Sequence, residues 1–399
     1  MTGYLIRRLV QMVIVVMISA AASYALLNLA PGGPTAGLRQ AVQGGRNRIT
    51  AEDIARIRAY FELDLFLPYR FSRWLIGQPR GPLTIFGREF FGDTIVGCYQ
   101  ERMATVRYAD GTIKDISLGC AQDVTLGDLV GRRTSNGVLF GDFGLSWRLL
   151  RDRPVTMVLA SRLDRTLQLI SLSTFFSLVI GIPLGIYSAV KQYSVFDYVF
   201  TSLAFMGSAM PTFFFGILMI LTFAIFFKNI GLPYLPPGSA TAVRAYTIPW
   251  IGTVQPESLL DHALHLILPV TVLTIVNISG WSRFIRASML DVLRQDYVRT
   301  ARAKGLWERV VVVKHALRNA LIPFVTIIVF SLPGLFGGAI ITESVFSWPG
   351  MGRLYFLALG DYDYPVAMAI LFITAVLTVI ATLLRDFLYT LVDPRIRFS

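Results

Sequence analysis

Six stretches of this 399-residue chain each run for at least 20 residues without an Asp, Glu, Lys or Arg. A helix needs about 20 mostly apolar residues to cross a bilayer, because lipid offers no hydrogen-bond partner to exposed backbone groups. We therefore expect an all-α integral membrane protein with six transmembrane helices, near 9–30, 167–190, 199–227, 264–283, 321–342 and 365–385. The fourth is the weakest, because it contains His262 and His265 at its start and Asn277 inside it.

The composition excludes most other classes of protein. Only 16% of the residues are charged, whereas a soluble domain has roughly 25%. The net charge of +12 is spread between the apolar runs, which suits a membrane surface better than nucleic acid. Two cysteines cannot supply a four-ligand zinc site, and we expect no bound metal.

The basic residues also predict the orientation of the chain. With the N-terminus inside, the inner segments hold 15 Lys and Arg residues and the two short outer loops hold 3. Basic residues in short loops favour the cytoplasmic side. Both ends are therefore predicted to be cytoplasmic, with residues 1–30 as an uncleaved first helix rather than a signal peptide, whose apolar core would be only about 7–15 residues long.

The long segment 31–164 is predicted to be a large extracytoplasmic region between helices 1 and 2, with a β-hairpin insertion at about 79–140. Short apolar-polar alternations at 104–108 and 112–116 flank Asp110-Gly111, which is a strong hairpin-turn signal. Cys98 and Cys120 lie on either side of that turn. A disulfide between them would close a loop worth about 3 kcal/mol, and two free cysteines in small apolar pockets are the alternative.

The cytoplasmic loop 284–320 carries the most informative pattern. Helical spacing continues beyond the fourth span, 296–304 forms a further helical stretch, and Gly305 follows it as a helix-terminating residue. Trp307 is predicted to begin a new helix that runs to Asn319. The small side chains of Ala301 and Ala303 would let another surface approach the backbone closely. Spacing and composition alone favour docking of a partner and adhesion to anionic lipid equally.

At this loop the sequence resembles the membrane-spanning permease subunits of ATP-binding-cassette (ABC) importers, of the dipeptide, oligopeptide and nickel branch. The resemblance runs through DYVRTARAKGLWERVVVVKHALRNALIP (296–323), GDFGLSWR (141–148), RPVTMVLASRLDRTLQL (153–169) and ESVFSWPGMGRLYFLALGDYDYPV (343–366). Arg299 and Thr300 stand where the general loop pattern of the family has Glu and Ala, and Gly305 fits its glycine.

The resemblance implies an ATP-driven importer in which residues 165–399 form the transmembrane domain. It implies that the ATPase-coupling residues are Asp296, Tyr297, Arg299, Thr300, Ala301, Ala303, Lys304 and Gly305. The implied partners are a second homologous permease as a heterodimer, two ABC ATPase subunits, an extracytoplasmic substrate-binding protein and membrane lipid, with no nucleic acid. The implied location is the bacterial plasma (inner) membrane. Peptides, nickel complexes and oligosaccharides all remain open as cargo.

The chain is expected to be a transport subunit and not an enzyme. None of its five lysines follows a glycine, so it lacks the phosphate-binding loop of an ATPase. We therefore expect it to bind no cofactor, with ATP and Mg²⁺ used by the partner subunits. His262 and His265 are interpreted as interfacial residues at a helix start, because no Glu lies beside the first of them to form a zinc-protease motif.

Three acids are candidates for an extracytoplasmic gate. Glu343 follows the fifth predicted span, and we expect it to be solvated at the membrane interface rather than to shape the gate. Asp361 and Asp363 are expected to be loop residues near the mouth of the pathway.

Two rival functions remain at this level. An ion-coupled secondary transporter needs titratable groups near mid-membrane, and the six windows hold no Asp, Glu, Lys or Arg away from their ends. An intramembrane hydrolase needs a serine–histidine pair at bilayer depth, yet all three histidines are predicted at or beyond helix ends.

Overall fold

The computed structural model is predominantly helical. It describes residues 2–29, 65–77, 81–85, 87–108, 113–129, 135–150, 152–321, 324, 327–329 and 339–392. The helices are α1 Thr2–Leu29, α2 Leu67–Ile76, α3 Val155–Val190, α4 Val195–Ala209, α5 Thr212–Asn229, α6 Leu259–Leu293, α7 Asp296–Ala303, α8 308–320, α9 Ile340–Val345, α10 Met351–Gly360 and α11 Tyr364–Val392. Both α5 and α8 contain a π-helical stretch, Ile220–Phe226 and Val311–Leu317 respectively.

The strands form three separate antiparallel hairpins. They are β1 Leu83–Ile85 with β2 Arg88–Phe90, β3 Ile95–Arg107 with β4 Ile113–Thr125, and β5 Tyr246–Ile248 with β6 Gly252–Val254. The β3–β4 pair confirms the hairpin expected around Asp110-Gly111, and its strands are longer than the alternating pattern indicated. The turn itself, 109–112, lies outside the described residues.

Five helices of the described chain are long and apolar enough to cross a membrane. They are Ile6–Leu29, Val155–Val190, Thr212–Asn229, Leu259–Leu293 and Tyr364–Phe387. The predicted span at 321–342 lies mostly outside the described residues. The membrane all-α fold therefore agrees with the sequence, while six spans and the inside location of both ends stay predictions.

The third predicted span, 199–227, is wrong as one continuous helix. Met210 has an extended backbone and Pro211 follows it, so α4 ends at Ala209 and α5 begins at Thr212. Proline disfavours helical geometry in the residue before it and lacks the N–H that would continue the helix. The apolar window holds two helices because of this proline.

Helix α6 confirms the prediction that the helix of the fourth span continues into the loop 284–320. It runs unbroken for 35 residues, and Ser258 caps its start by accepting a hydrogen bond from the backbone N–H of Asp261 at 3.1 Å. Ile285 and Met289, near its end, are fully buried against Val312 and Ala316 of α8. This packing fixes the direction in which the chain leaves the span.

The chain divides into two compact units, the first formed by 1–16, 161–356 and 373–399, and the second by 17–160 and 357–372. The first unit contains α4 to α9 and the cores around α6. The second unit contains the β1–β2 and β3–β4 hairpins and a cluster in which Tyr24, Tyr364 and Met368 are buried among aromatic side chains.

Candidate functional site

The predicted coupling residues lie on one short helix and the turn that ends it. Helix α7 begins after Gln295, and Asp296 in its first turn opposes the helix dipole. Gly305 has φ 75° and its N–H bonds the carbonyl of Arg302 at 2.9 Å. A left-handed residue at this position is the common way to end a helix and is easiest for glycine. The predicted helix, its end at Gly305 and the new helix after Trp307 are confirmed.

Helix α7 has a buried face and an exposed face. Val298 and Ala301 are buried against Val311 of α8. The small side chain of Ala301 does let another surface approach the backbone closely, and that surface is α8 of this same chain. Ala303 lies on the exposed face.

The other predicted coupling residues are exposed, and we refer to them together as the α7 surface. They are Asp296, Tyr297, Arg299, Thr300, Lys304 and Gly305, and the strongly exposed Trp307 adjoins them. Asp296 and Arg299 form an ion pair at 3.7 Å in which both side chains are highly solvated. Such a pair contributes at most about 1 kcal/mol, so both charges are available to a partner.

Side-chain bonds fasten this surface to α8. Arg302 donates to both carboxylate oxygens of Glu308, at 3.0 and 2.6 Å, across the Gly305 turn. This hydrogen bonding lowers the pKa of Glu308 and raises that of Arg302. The hydroxyl of Tyr297 accepts a bond from the side-chain amide of Asn319 at 2.9 Å. The α7 surface is held in place from two sides.

A buried ion pair joins α6 to the start of α4, and the sequence reasoning missed it. Arg286 donates from Nε and Nη2 to the two oxygens of Asp197, at 2.7 Å each, and Ser188 and the backbone N–H of Tyr193 also donate to that carboxylate. These bonds hold the pKa of Asp197 well below its usual range, with the Arg286 hydrogen bond the largest cause. The single acid Asp197 at the edge of the third apolar window was the signal that could have indicated a buried, paired charge.

Glu343 is fully buried, so its expected solvation is wrong. It accepts hydrogen bonds from the hydroxyl of Thr166 at 3.0 Å and the backbone N–H of Arg353 at 2.9 Å. Burial raises the pKa of this carboxyl and the bonds it accepts oppose the shift. A Cβ at Gly350 would lie 2.5 Å from the carboxyl group, so a side chain there would displace the carboxyl group of Glu343. Glu343 organises the turn between α9 and α10.

Asp363 holds a loop in the second unit in a similar way. It is fully buried and accepts a hydrogen bond from the Ser146 hydroxyl. It also accepts hydrogen bonds from three successive backbone N–H groups at 3.0–3.1 Å, those of Trp147, Arg148 and Leu149. It is therefore an anchor for the 146–149 loop. Asp361 is exposed. Glu343 belongs to the first unit and the two aspartates to the second.

The two histidines near the start of α6 are less accessible than an interfacial position implies. His265 is 4% exposed, and its Nδ1 lies 2.8 Å from the carbonyl oxygen of Asp261. His262 is half-buried, with its ring nitrogens 2.8 Å from the Ala240 carbonyl and 2.7 Å from the amide oxygen of Gln168. Local partners thus occupy most of their bonding capacity.

Cys98 and Cys120 form a disulfide across the β3–β4 hairpin, with their Cα atoms 5.8 Å apart. Within the described residues, the one cluster of His, Cys, Asp or Glu with metal-binding spacing is this pair with the exposed Asp123. Disulfide sulfurs lack the thiolate that binds metals, so the cluster fits a covalent crosslink and not a metal centre.

Comparison with known proteins identifies relatives along most of the chain. Residues 181–398 match the family described as binding-protein-dependent transport system inner membrane component. The chain is 42% identical over 259 residues to the oligopeptide transport system permease protein AppB of Bacillus subtilis (strain 168), covering 65% of this chain and 77% of that protein. It is 37% identical over 274 residues to the dipeptide transport system permease protein DppB of Escherichia coli (strain K12), covering 65% and 78%.

Among solved structures, an inward-facing form of the MetNI methionine ABC transporter aligns with a TM-score of 0.44 and 17% identity, covering 60% of this chain and 97% of that chain.

Proposed function

Because the chain belongs to the family of binding-protein-dependent transport system inner membrane components, we propose that it forms a peptide translocation pathway worked by separate ATPase subunits. It is an ABC importer permease and a multi-pass protein of the plasma membrane. The family assignment supports this function and not the ion-coupled secondary transporter. Peptides are proposed as cargo because the relatives at 42% and 37% identity are named for oligopeptide and dipeptide transport.

The exposed surface of α7 is the proposed docking site for an ATPase subunit. The observation that carries this proposal is that residues 296–305 have a buried face and an exposed face. Val298 and Ala301 are buried against this chain, and the other predicted coupling residues are exposed. Arg302–Glu308 and Tyr297–Asn319 restrain the same helix. A helix held in this way transmits a displacement instead of absorbing it, as switching between two states of a transporter requires.

The proposed assembly contains two ATPases, a second homologous permease as a heterodimer and an extracytoplasmic binding protein. ATP and Mg²⁺ would be used on the ATPase subunits, and this chain contributes the mechanical connection. Glu343, Asp361 and Asp363 remain the candidates for an extracytoplasmic gate. In that role Glu343 and Asp363 would act by holding loops, because both carboxylates are buried and bonded within the chain.

The test is an Ala303→Trp variant in the complete importer. We expect at least tenfold less ATPase to co-purify with it, since the indole would stand between the α7 surface and its partner. Ala287→Trp is the matched control, because Ala287 is also an exposed alanine on a cytoplasmic-loop helix. Undiminished ATPase recovery with Ala303→Trp would contradict the proposed docking site. A change at Ala301 would instead test the packing of α7 on α8.

A further inference from the structure

A small cavity lies in the segment that joins α5 to α6, and the proposed transport mechanism does not use it. The segment is ordered around Asp261, which is fully buried and accepts hydrogen bonds from the Ala242 and Glu257 backbone N–H groups at 2.9 and 3.0 Å and from the Tyr246 hydroxyl at 3.0 Å. Because these bonds close the segment onto the start of α6, the walls of the cavity are preorganised.

Two cations and no carboxylate line this cavity, which has a volume of about 240 Å³. Lys228 lies 5.2 Å from the ring centre of Tyr234, and neither Lys228 nor Arg244 has an ion-pair partner among the described residues. A volume of this size admits a group several times larger than a water molecule. Two positive charges that line one concave site concentrate field lines and attract an anion.

His265 supplies a third polar group to the lining. Its Nδ1 lies 2.8 Å from the carbonyl oxygen and 3.1 Å from a carboxylate oxygen of Asp261, and its side chain is only 4% exposed. His265 therefore holds the wall of the cavity in place, and the two cations are the groups that attract an anion.

The position of the cavity relates it to the membrane surface. Lys228 is the penultimate residue of α5, a candidate span whose side chains are mostly exposed. The segment that joins α5 to α6 also exposes Val243 and Trp250, and α6 begins at the exposed Leu259, with 84–95% of the surface of each accessible. Exposed tryptophan near the end of a span is typical of the bilayer interface. A cationic cavity in a segment that also exposes apolar side chains complements a molecule with an anionic head and an apolar tail.

We propose that this cavity binds the phosphate of an anionic phospholipid at the outer surface of the membrane. Lys228 and Arg244 would contact the phosphate oxygens, and the exposed apolar residues of 230–259 would lie against the acyl chains. A peptide carboxylate shares the chemistry of the headgroup but gives these exposed apolar residues no role.

The experiment uses the purified complete importer incubated with phosphatidylglycerol or phosphatidylcholine, followed by native mass spectrometry. The double variant Lys228→Gln/Arg244→Gln should retain at least fivefold less phosphatidylglycerol, with phosphatidylcholine unchanged. Arg88→Gln/Arg107→Gln is the control, because it removes two exposed cations from the β2 and β3 strands and should retain the lipid as the wild type does.

Equal phosphatidylglycerol retention by the double variant and the wild type would overturn the proposal. A raised KM for peptide with unchanged lipid retention would also overturn it and assign the cavity to a substrate carboxylate. A second measurement leaves the cavity intact and uses the fluorescence of Trp250, obtained as the difference between the wild type and Trp250→Phe. Brominated phosphatidylglycerol should quench this fluorescence more strongly than brominated phosphatidylcholine. Equal quenching by the two lipids would contradict a preference for anionic headgroups, whether or not the double variant assembles.

Discussion

Glu343 and Asp363 act by the same physical means on two different turns. Each is a fully buried carboxylate that accepts backbone N–H groups from a turn with little regular structure of its own. Hydrogen bonds to a charged acceptor are worth about 1.5–3 kcal/mol, and leaving a buried donor without its acceptor costs a comparable amount. These acids are therefore expected to matter first for stability, and for a gate only through the loops they hold.

Replacing Glu343 with Ala should lower the free energy of unfolding by about 2–4 kcal/mol, because Thr166 and the Arg353 N–H would lose their acceptor. The measurement is thermal unfolding of the purified protein in one detergent. Asp361→Ala is the control, since this exposed acid should change stability by no more than about 0.5 kcal/mol. Equal unfolding temperatures for the two variants would show that Glu343 is not an anchor.

Residue-level prediction from the sequence succeeded where the cause is local. Gly305 could be predicted because a helix-ending glycine depends on its own backbone and on the preceding turn. The burial of Ala301 and Glu343 could not be predicted, because it depends on Val311, Thr166 and Arg353, which lie on other helices.

The Asp197–Arg286 pair belongs to the scale of elements, because it fastens α6 to the start of α4. Breaking a buried pair leaves one charge uncompensated. Arg286 retains about a quarter of its side-chain exposure, so we expect Asp197→Asn to cost about 2–3 kcal/mol, less than a fully buried pair. Asp296→Asn, which removes a solvated pair, should cost almost nothing.

The same pair predicts a dependence on pH. Because the folded pKa of Asp197 lies below its unfolded value, its stabilisation is present above the unfolded pKa, about 3.9. It is lost as the pH falls through the folded pKa. The stability difference between the wild type and Asp197→Asn should therefore be constant from pH 7 to 5 and shrink in stronger acid. A difference that grew on acidification would contradict the assigned direction.

Helices and strands could be predicted from the sequence where residue spacing and turn residues indicate them. The α6 extension and the start of α8 could be predicted, because apolar spacing and turn residues are explicit there. The break at Pro211 could also have been predicted from the proline itself. A search for stretches without charged residues does not detect it. The full extent of β3 and β4 depends on pairing across the hairpin, which local alternation indicates only in part.

At the scale of the whole molecule, our proposal is that this chain connects separate ATPase subunits to the translocation pathway. The proposed connection consists of the α7 surface, its contacts with α8 and the Asp197–Arg286 pair that joins α6 to α4, all within the first unit. The family could be recognised from motifs distributed along the chain, whereas the cargo could not, because selection of cargo is proposed to lie with a separate binding protein.

The most direct test of this account is uptake of a labelled peptide by proteoliposomes that contain the chain with its partner permease, the ATPases and the binding protein. We expect accumulation only when Mg²⁺-ATP and every subunit are present, and no effect of collapsing the proton gradient. Peptide accumulation by the chain alone, driven by a proton gradient without ATP, would contradict the account.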